Sequence, residues 1–238
     1  MTRILNIETA TPLCSVVLSD DGKILSIRET LEEKSHAAQL AVFINEILNE
    51  TGTTIKDLHA IAVGKGPGSY TGLRIGISTA KGICYGANLP LIATGTLDIM
   101  TMQVMHTYSE QIHQWLNIPG TLLCPLIDAR RMEVFTSFFD HKGQEYSKPS
   151  AIVIDHSTFK DILKERRVIF FGSGMKKCKP LLEHNNAFFI EDVLPHASAL
   201  SIIAQNKFHR KDFEDIAYFE PFYLKDFIAT ISKKGLRD

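Results

Sequence analysis

ILNIETATPLCSVVL, residues 4–18, holds two short apolar runs, Ile4 to Ile7 and Ser15 to Leu18, with the acidic Glu8 at the tip of the first. Asp20-Asp21-Gly22 then supplies a turn before Lys23 to Arg28, so the segment reads as a three-stranded antiparallel meander. LLCPLIDARRMEVFTSFF at 122–139 begins the same way. Leu122 to Ile127 ends in Asp128, and Glu133 to Phe139 follows and reaches a turn at His141-Lys142-Gly143. Further on, Val168 to Phe171 runs into Gly172-Ser173-Gly174, as Ile61 to Val63 runs into Gly64 to Gly68. The offset between the copies is about 120 residues early and shorter later, which is an internal duplication of a β-β-β-α-β-α unit whose second copy has lost material. The alternative is chance likeness between two α/β lobes. The acidic residue after the first strand of both copies favours duplication.

Between these landmarks, Ser35 is placed to cap a helix over His36 to Asn49, whose apolar residues include Leu40, Val42, Phe43, Ile44, Ile47 and Leu48. His59 to Val63 is a buried strand, Thr71 to Ala87 a second helix, Leu91 to Ala93 a short strand, and Leu97 to Tyr108 a third helix. The expected organisation is an N-terminal lobe at 1–110 and a C-terminal lobe at 111–211, with a C-terminal helix at 212–238 returning to the first lobe. Asn117-Ile118-Pro119-Gly120 is the candidate hinge. Two α/β lobes with acidic tips resemble the duplicated ribonuclease-H-like fold of actin, sugar kinases and Hsp70. In that superfamily the tips flank an interlobe nucleotide cleft, but fold alone does not assign function.

GKGPGSYTGLRIG, residues 64–76, packs five glycines into thirteen residues. Strand, Gly-rich turn and helix N-terminus together present backbone N–H groups to an anion, and Ser69 and Thr71 could add hydroxyls or cap the helix. Yet no GK[ST] follows at Walker spacing, and Gly64-Lys65-Gly66 is followed by Pro67-Gly68-Ser69, so neither nucleotide fingerprint is present. On its own the loop of Gly64, Gly66, Pro67, Gly68, Ser69, Tyr70 and Thr71 leaves an anion site and a structural turn equally open. The helix it launches carries a small-residue face, Gly72, Gly76, Ala80 and Ile83, beside an apolar face of Leu73, Ile77 and Cys84. A helix apolar over most of its circumference buries more than one side. Either the two helices satisfy each other inside the chain, or the pair offers a surface to another subunit. The excess of apolar residues favours the second reading, with His36, Leu40, Phe43, Ile47, Gly72, Leu73, Gly76, Ala80 and Ile83 as the expected partner or dimer interface.

With 238 residues, 45% hydrophobic and 22% charged, the chain has the composition of an ordinary globular protein of one large domain or two lobes. A net charge of −1 argues against tight nucleic-acid binding by this chain alone. Cys14, Cys84, Cys124 and Cys178 form no CxxC pair, which favours reduced structural thiols. The first residues, MTRILNIETATPL, do not read as a signal peptide, and no apolar run is long enough to span a bilayer, so a cytoplasmic protein is expected.

GPGSYTGLRIG followed by Ser78 to Gly82 (STAKG) closely resembles the signature of the TsaB (YeaZ) family, with Tyr70 where the family usually has Phe. ILNIETATPLCSVVL resembles that family's first hairpin, IDARRMEVF at 127–135 its interlobe strand, and PFYLKDF at 221–227 its C-terminal YLR motif with Lys225 replacing Arg. The matches occur in order along nearly the whole chain and are weak at about 101–120 and 146–195. The resemblance implies a bacterial partner of TsaD which, with the ATPase TsaE, makes threonylcarbamoyladenosine at position 37 of tRNA. TsaD performs the transfer and this chain supports it. The resemblance also implies that the two helices above form a four-helix bundle with TsaD or with a second copy, and that tRNA is met only through the complex.

Catalytic alternatives find less support. The segment after the second helix, Ala93-Thr94-Gly95-Thr96-Leu97-Asp98, lacks the histidines of TsaD-type metal sites, and His36 stands without a second histidine one turn later. There is no HExxH, and no Ser/His/Asp arrangement follows from spacing. The stronger rival is an interlobe ATP-binding enzyme, with Glu8 and Asp128 holding Mg²⁺ and Gly172-Ser173-Gly174 approaching an adenosine. Against it, the first tip is Glu8-Thr9-Ala10 where the family more often has Asp-Thr-Ser, and Arg130 and Arg131 would crowd a phosphate. A remnant cleft of Glu8, Thr9, Asp128, Arg130, Arg131, Gly172 and Gly174 is expected, with no cofactor, no metal and no catalytic residue.

Overall fold

The computed structural model describes residues 1–32 and 36–225. Strands β1 (Arg3–Glu8), β2 (Cys14–Asp20) and β3 (Lys23–Thr30) form the expected meander, turned at Asp21 and Gly22. Helix α1 (His36–Glu50) leads to β4 (Ala60–Gly66), and α2 (Tyr70–Ala87) to β5 (Leu91–Gly95). β4 lies parallel to β1, and β5 parallel to β4, giving the order β3-β2-β1-β4-β5. After α3 (Thr96–Thr107) and α4 (Ser109–Leu116), the second half builds β6 (Leu122–Asp128), β7 (Glu133–Thr136) and β8 (Ser150–Val153). It continues through α5 (Lys160–Glu165), β9 (Val168–Phe171), α6 (Met175–Cys178), β10 (Ala187–Ile190) and α7 (Ala197–Arg210). Its order is β8-β7-β6-β9-β10 with the same parallel and antiparallel pairings. The second sheet therefore repeats the first strand for strand, the duplicated ribonuclease-H-like topology.

Strand alternation sorts the first core into two layers. Leu5, Ile7, Ile61 and Val63 face α1 and α2, while Ile4, Ala60, Ala62 and Ile92 face the opposite side. That opposite side is covered by Ile99 of α3 and by Ala199, Leu200 and Ala204 of α7. α3 also sends Leu97, Met100 and Val104 into the second lobe, against Leu123, Ile127, Ile169 and Phe171. A helix apolar on two sides is thus shared by both lobes.

Several boundaries differ from expectation. The third helix ends at Tyr108 as expected, but a short further helix, α4, follows it. Residues 197–210, expected in the second lobe, form α7 against the first sheet, because the alanine-rich face of α7 fits closely over Ala60 and Ala62. Residues 212–225 return to the first lobe without being helical: Glu214 N–H donates to Leu91 O at 2.8 Å and Lys81 Nζ to Phe219 O at 2.8 Å. The expected cap Ser35 and the rest of the proposed C-terminal helix, 226–238, lie outside the described residues. All four cysteines are buried and free, and burial pushes their thiols up, Cys124 to about 12.

Candidate functional site

The Gly-rich turn is set by what lies against it inside the chain. Ser69 caps α2, its Oγ accepting from Gly72 N–H at 3.2 Å. A Cβ at Gly72 would meet the Thr9 carbonyl oxygen, and one at Gly76 the Thr9 hydroxyl, both closer than 3.0 Å. The Thr9 hydroxyl donates to Gly72 O at 2.8 Å, locking the β1–β2 tip onto α2. These two glycines therefore admit the neighbouring hairpin tip of the same chain, not a helix from a partner. That corrects the expected interface. Leu40, Ile47, Leu73 and Ala80 are also buried in this core, against the strands beneath them. His36 is half-buried, its Nε2 2.9 Å from Thr11 O, and Phe43 and Ile83 sit half-buried at the core's edge.

What α1 and α2 present outward is a different set. Both lie on the same side of the first sheet. α1 exposes Ala38, Ala41 and Val42, and α2 exposes Ser78, Gly82, Tyr85 and Gly86. Tyr85 is 86% exposed, and a Cβ built on Gly82 meets nothing within 4 Å. Small residues around one exposed aromatic leave backbone accessible to a close-packing helix. The pattern Ser78, Gly82, Tyr85 has the helical i, i+4, i+7 spacing that could have revealed it from sequence.

Between the lobes lies a cleft of about 990 Å³. It is lined on one side by Ala10 to Pro12 and Pro67 to Thr71, and on the other by Ile127 to Arg131. Glu8 is not in it. The Glu8 side chain is fully buried, with Oε1 accepting from Ala10 N–H at 2.7 Å and Oε2 packed on Gly64 without a hydrogen bond among the described residues. Burial pushes this carboxyl up from its ordinary 4.5 to about 7, against the lowering effect of the Ala10 and Thr9 amides. Thr9 is likewise buried. Gly172 and Gly174 are packing positions rather than lining: a Cβ at Gly172 would strike Met100 and the Leu126 carbonyl, and one at Gly174 would press on Val134. Of the expected cleft residues only Asp128, Arg130 and Arg131 line it, and Asp128 is held at 2.6 Å by Lys177 Nζ.

Arg130 and Arg131 form the tip of the β6–β7 hairpin with φ of 71° and 50°. Such turns favour Asn and Gly, since an L side chain in this region costs roughly 1–2 kcal/mol. Arg131→Gly is therefore expected to raise stability by about 1 kcal/mol, read as a higher urea midpoint with unchanged slope.

The cleft also holds a segment whose motif was visible in the sequence but whose position was not. Phe222 N–H donates to Lys65 O at 2.7 Å, and the Tyr223 ring lies 4.9 Å from that of Tyr70. The Tyr223 hydroxyl accepts from Arg74 Nε at 3.2 Å, and Lys225 forms an ion pair with Glu133 of the second lobe. Residues 222–225 thus line the cleft and strap one lobe to the other. Among the described residues no cluster of three His, Cys, Asp or Glu is placed to hold a metal, and no helix is long and apolar enough to cross a membrane.

Comparison with known proteins agrees with the fold. Residues 28–233 match the family model described as TsaD, tRNA N6-adenosine threonylcarbamoyltransferase. The chain is 30% identical over 234 residues to the tRNA threonylcarbamoyladenosine biosynthesis protein TsaB of Escherichia coli (strain K12), covering 95% of this chain and 96% of that protein. It is 28% identical over 246 residues to the protein of the same name from Haemophilus influenzae, covering 94% and 93%. The solved structure of YeaZ from Pseudomonas aeruginosa superposes with a TM-score of 0.77 at 24% identity, over 94% of this chain and 100% of that one.

Proposed function

The chain belongs to the TsaB family, and from that premise we propose that it is a non-catalytic scaffold subunit in bacterial tRNA threonylcarbamoyladenosine synthesis. It binds a TsaD homologue, helps recruit a TsaE homologue, and meets tRNA through the assembly in the cytoplasm. The observation that carries this reading is the outward face of α1 and α2, where Ala38, Ala41, Val42, Gly82 and Tyr85 expose small and apolar surface that the chain's own core leaves uncovered. An amphipathic pair with such a face suits a four-helix contact, in which the same surface serves a second copy when TsaD is absent. The transfer chemistry is assigned to TsaD, because the β5–α3 junction here reads Thr94-Gly95-Thr96-Leu97-Asp98 without a histidine.

Purified chain mixed with a TsaD homologue from the same organism should elute as one complex on size exclusion with light scattering. Two separate peaks at micromolar concentrations would contradict the reading. The rival, an interlobe ATP-binding enzyme, is disfavoured by the retracted Glu8 and by the strap at 222–225. Low-micromolar binding of Mg-ATP to the isolated chain, lost in Asp128→Ala, would support the rival instead.

A further inference from the structure

The interlobe cleft carries a surplus of positive charge that the chain does not itself use. Two carboxylates line it, and each is already matched: Lys177 Nζ holds Asp128 at 2.6 Å, and Lys225 pairs with Glu133. Three guanidinium groups stand at the same cleft without a carboxylate. Arg74 lies over the Tyr70 ring at 4.0 Å and donates to the Tyr223 hydroxyl. Arg130 and Arg131 line the opposite wall, exposed, and neither side chain has a partner among the described residues. Even with the buried Glu8 behind the first tip counted as an anion, five cations stand against three carboxylates.

The two arginines also sit where the backbone least favours them. Both have left-handed φ, 71° and 50°, in a turn that Asn and Gly would occupy at no such cost. Strain that no contact inside the chain offsets points outward, to a ligand. Beside them the strap offers Phe222 and Tyr223, 39% and 38% exposed. Cationic side chains set among accessible aromatic rings suit single-stranded RNA, with guanidiniums on phosphates and rings on bases. An acidic protein segment would engage the charges and leave the rings idle.

We infer that this cleft binds an unpaired stretch of RNA directly, Arg130 and Arg131 meeting backbone phosphates while Phe222 and Tyr223 offer stacking to bases. The identity of the RNA rests on the proposed role in tRNA modification, to which the inference adds a contact made by this chain's own residues. With a net charge of −1 over the whole chain, that contact is local and supplements those of the assembly.

Arg130→Asn combined with Arg131→Gly removes both charges and installs the favoured turn, so the variant should fold with a higher urea midpoint than the parent. It should join the TsaD homologue as the parent does. The resulting complex should bind a tRNA transcript about tenfold more weakly at physiological salt. The slope of log affinity against log salt should flatten by about 1.5, because each phosphate contact contributes about 0.7 to 0.9. Arg130→Lys combined with Arg131→Lys keeps the charge and should keep the slope. A tRNA affinity and slope unchanged by the Asn-Gly variant would overturn the inference. So would loss of the TsaD complex in that variant, which would make the arginines a protein contact. Should the parent itself fail to join TsaD, the scaffold reading falls, and the same salt series on the isolated chain still decides the role of the arginines.

Discussion

Glu8→Gln is expected to stabilise the protein by about 3 kcal/mol above pH 8 and to leave it nearly unchanged at pH 4. Glu8 lies at the end of the central strand with no exposed surface, and burial raises its carboxyl from 4.5 to about 7. A folded value above the unfolded one means that the native state holds the proton more tightly. The associated stability is fully present below pH 4.5 and is lost as pH rises through about 7. Glutamine keeps an oxygen to accept the Ala10 N–H and cannot ionise, so the variant should lose that downward slope. Denaturant unfolding of both proteins from pH 4 to pH 9 measures it. A difference that did not grow between pH 5 and pH 8 would mean that the Glu8 carboxyl ionises freely in the folded chain.

The second large effect separates two glycines of one helix. By helix propensity alone, alanine stabilises either position by about 1 kcal/mol. At Gly82 nothing stands within 4 Å of an added Cβ, so Gly82→Ala should deliver that gain. At Gly72 the added carbon would press into the Thr9 carbonyl, which is backbone of a buried hairpin tip and cannot swing away. Overpacking of this kind costs roughly 1–3 kcal/mol, and displacement of Thr9 also endangers its hydrogen bond to Gly72 O, worth about 1 kcal/mol. Gly72→Ala should therefore lose about 2 kcal/mol net, opposite in sign to Gly82→Ala. Thermal unfolding of the two variants against the parent reads both signs in one experiment.

This contrast also marks where the sequence stops being informative. The strand duplication was legible because Ile4 to Glu8 and Leu122 to Asp128 carry a local signal, an apolar run with an acidic end, and the sheets repeat it strand for strand. The helices α1 and α2 were legible through their apolar spacing. Which glycines face the chain itself was not, since a small-residue stripe has the same spacing whether a hairpin tip or a partner helix approaches it. Gly72 and Gly76 turned out to receive Thr9, and the open face moved round the helix to Ser78, Gly82 and Tyr85. Long-range docking was equally hidden. Nothing local in residues 197–210 says that their alanines cover Ala60 and Ala62 of a strand far earlier in the chain. Likewise, nothing in PFYLK at 221–225 says that it lines the cleft. Glu8 has the sequence context of a cleft acid, yet the tight turn through Thr9 and Ala10 folds its carboxyl back onto Gly64.

The scaffold reading rests on the outward face of α1 and α2, and Gly82→Arg tests it most directly. The substitution puts a long charged side chain at the centre of that face, where the chain's own structure has room for it. The variant should melt at or above the temperature of the parent and yet fail to co-elute with the TsaD homologue on size exclusion. A Gly82→Arg protein that forms the complex as readily as the parent would contradict the assignment of this face to the partner.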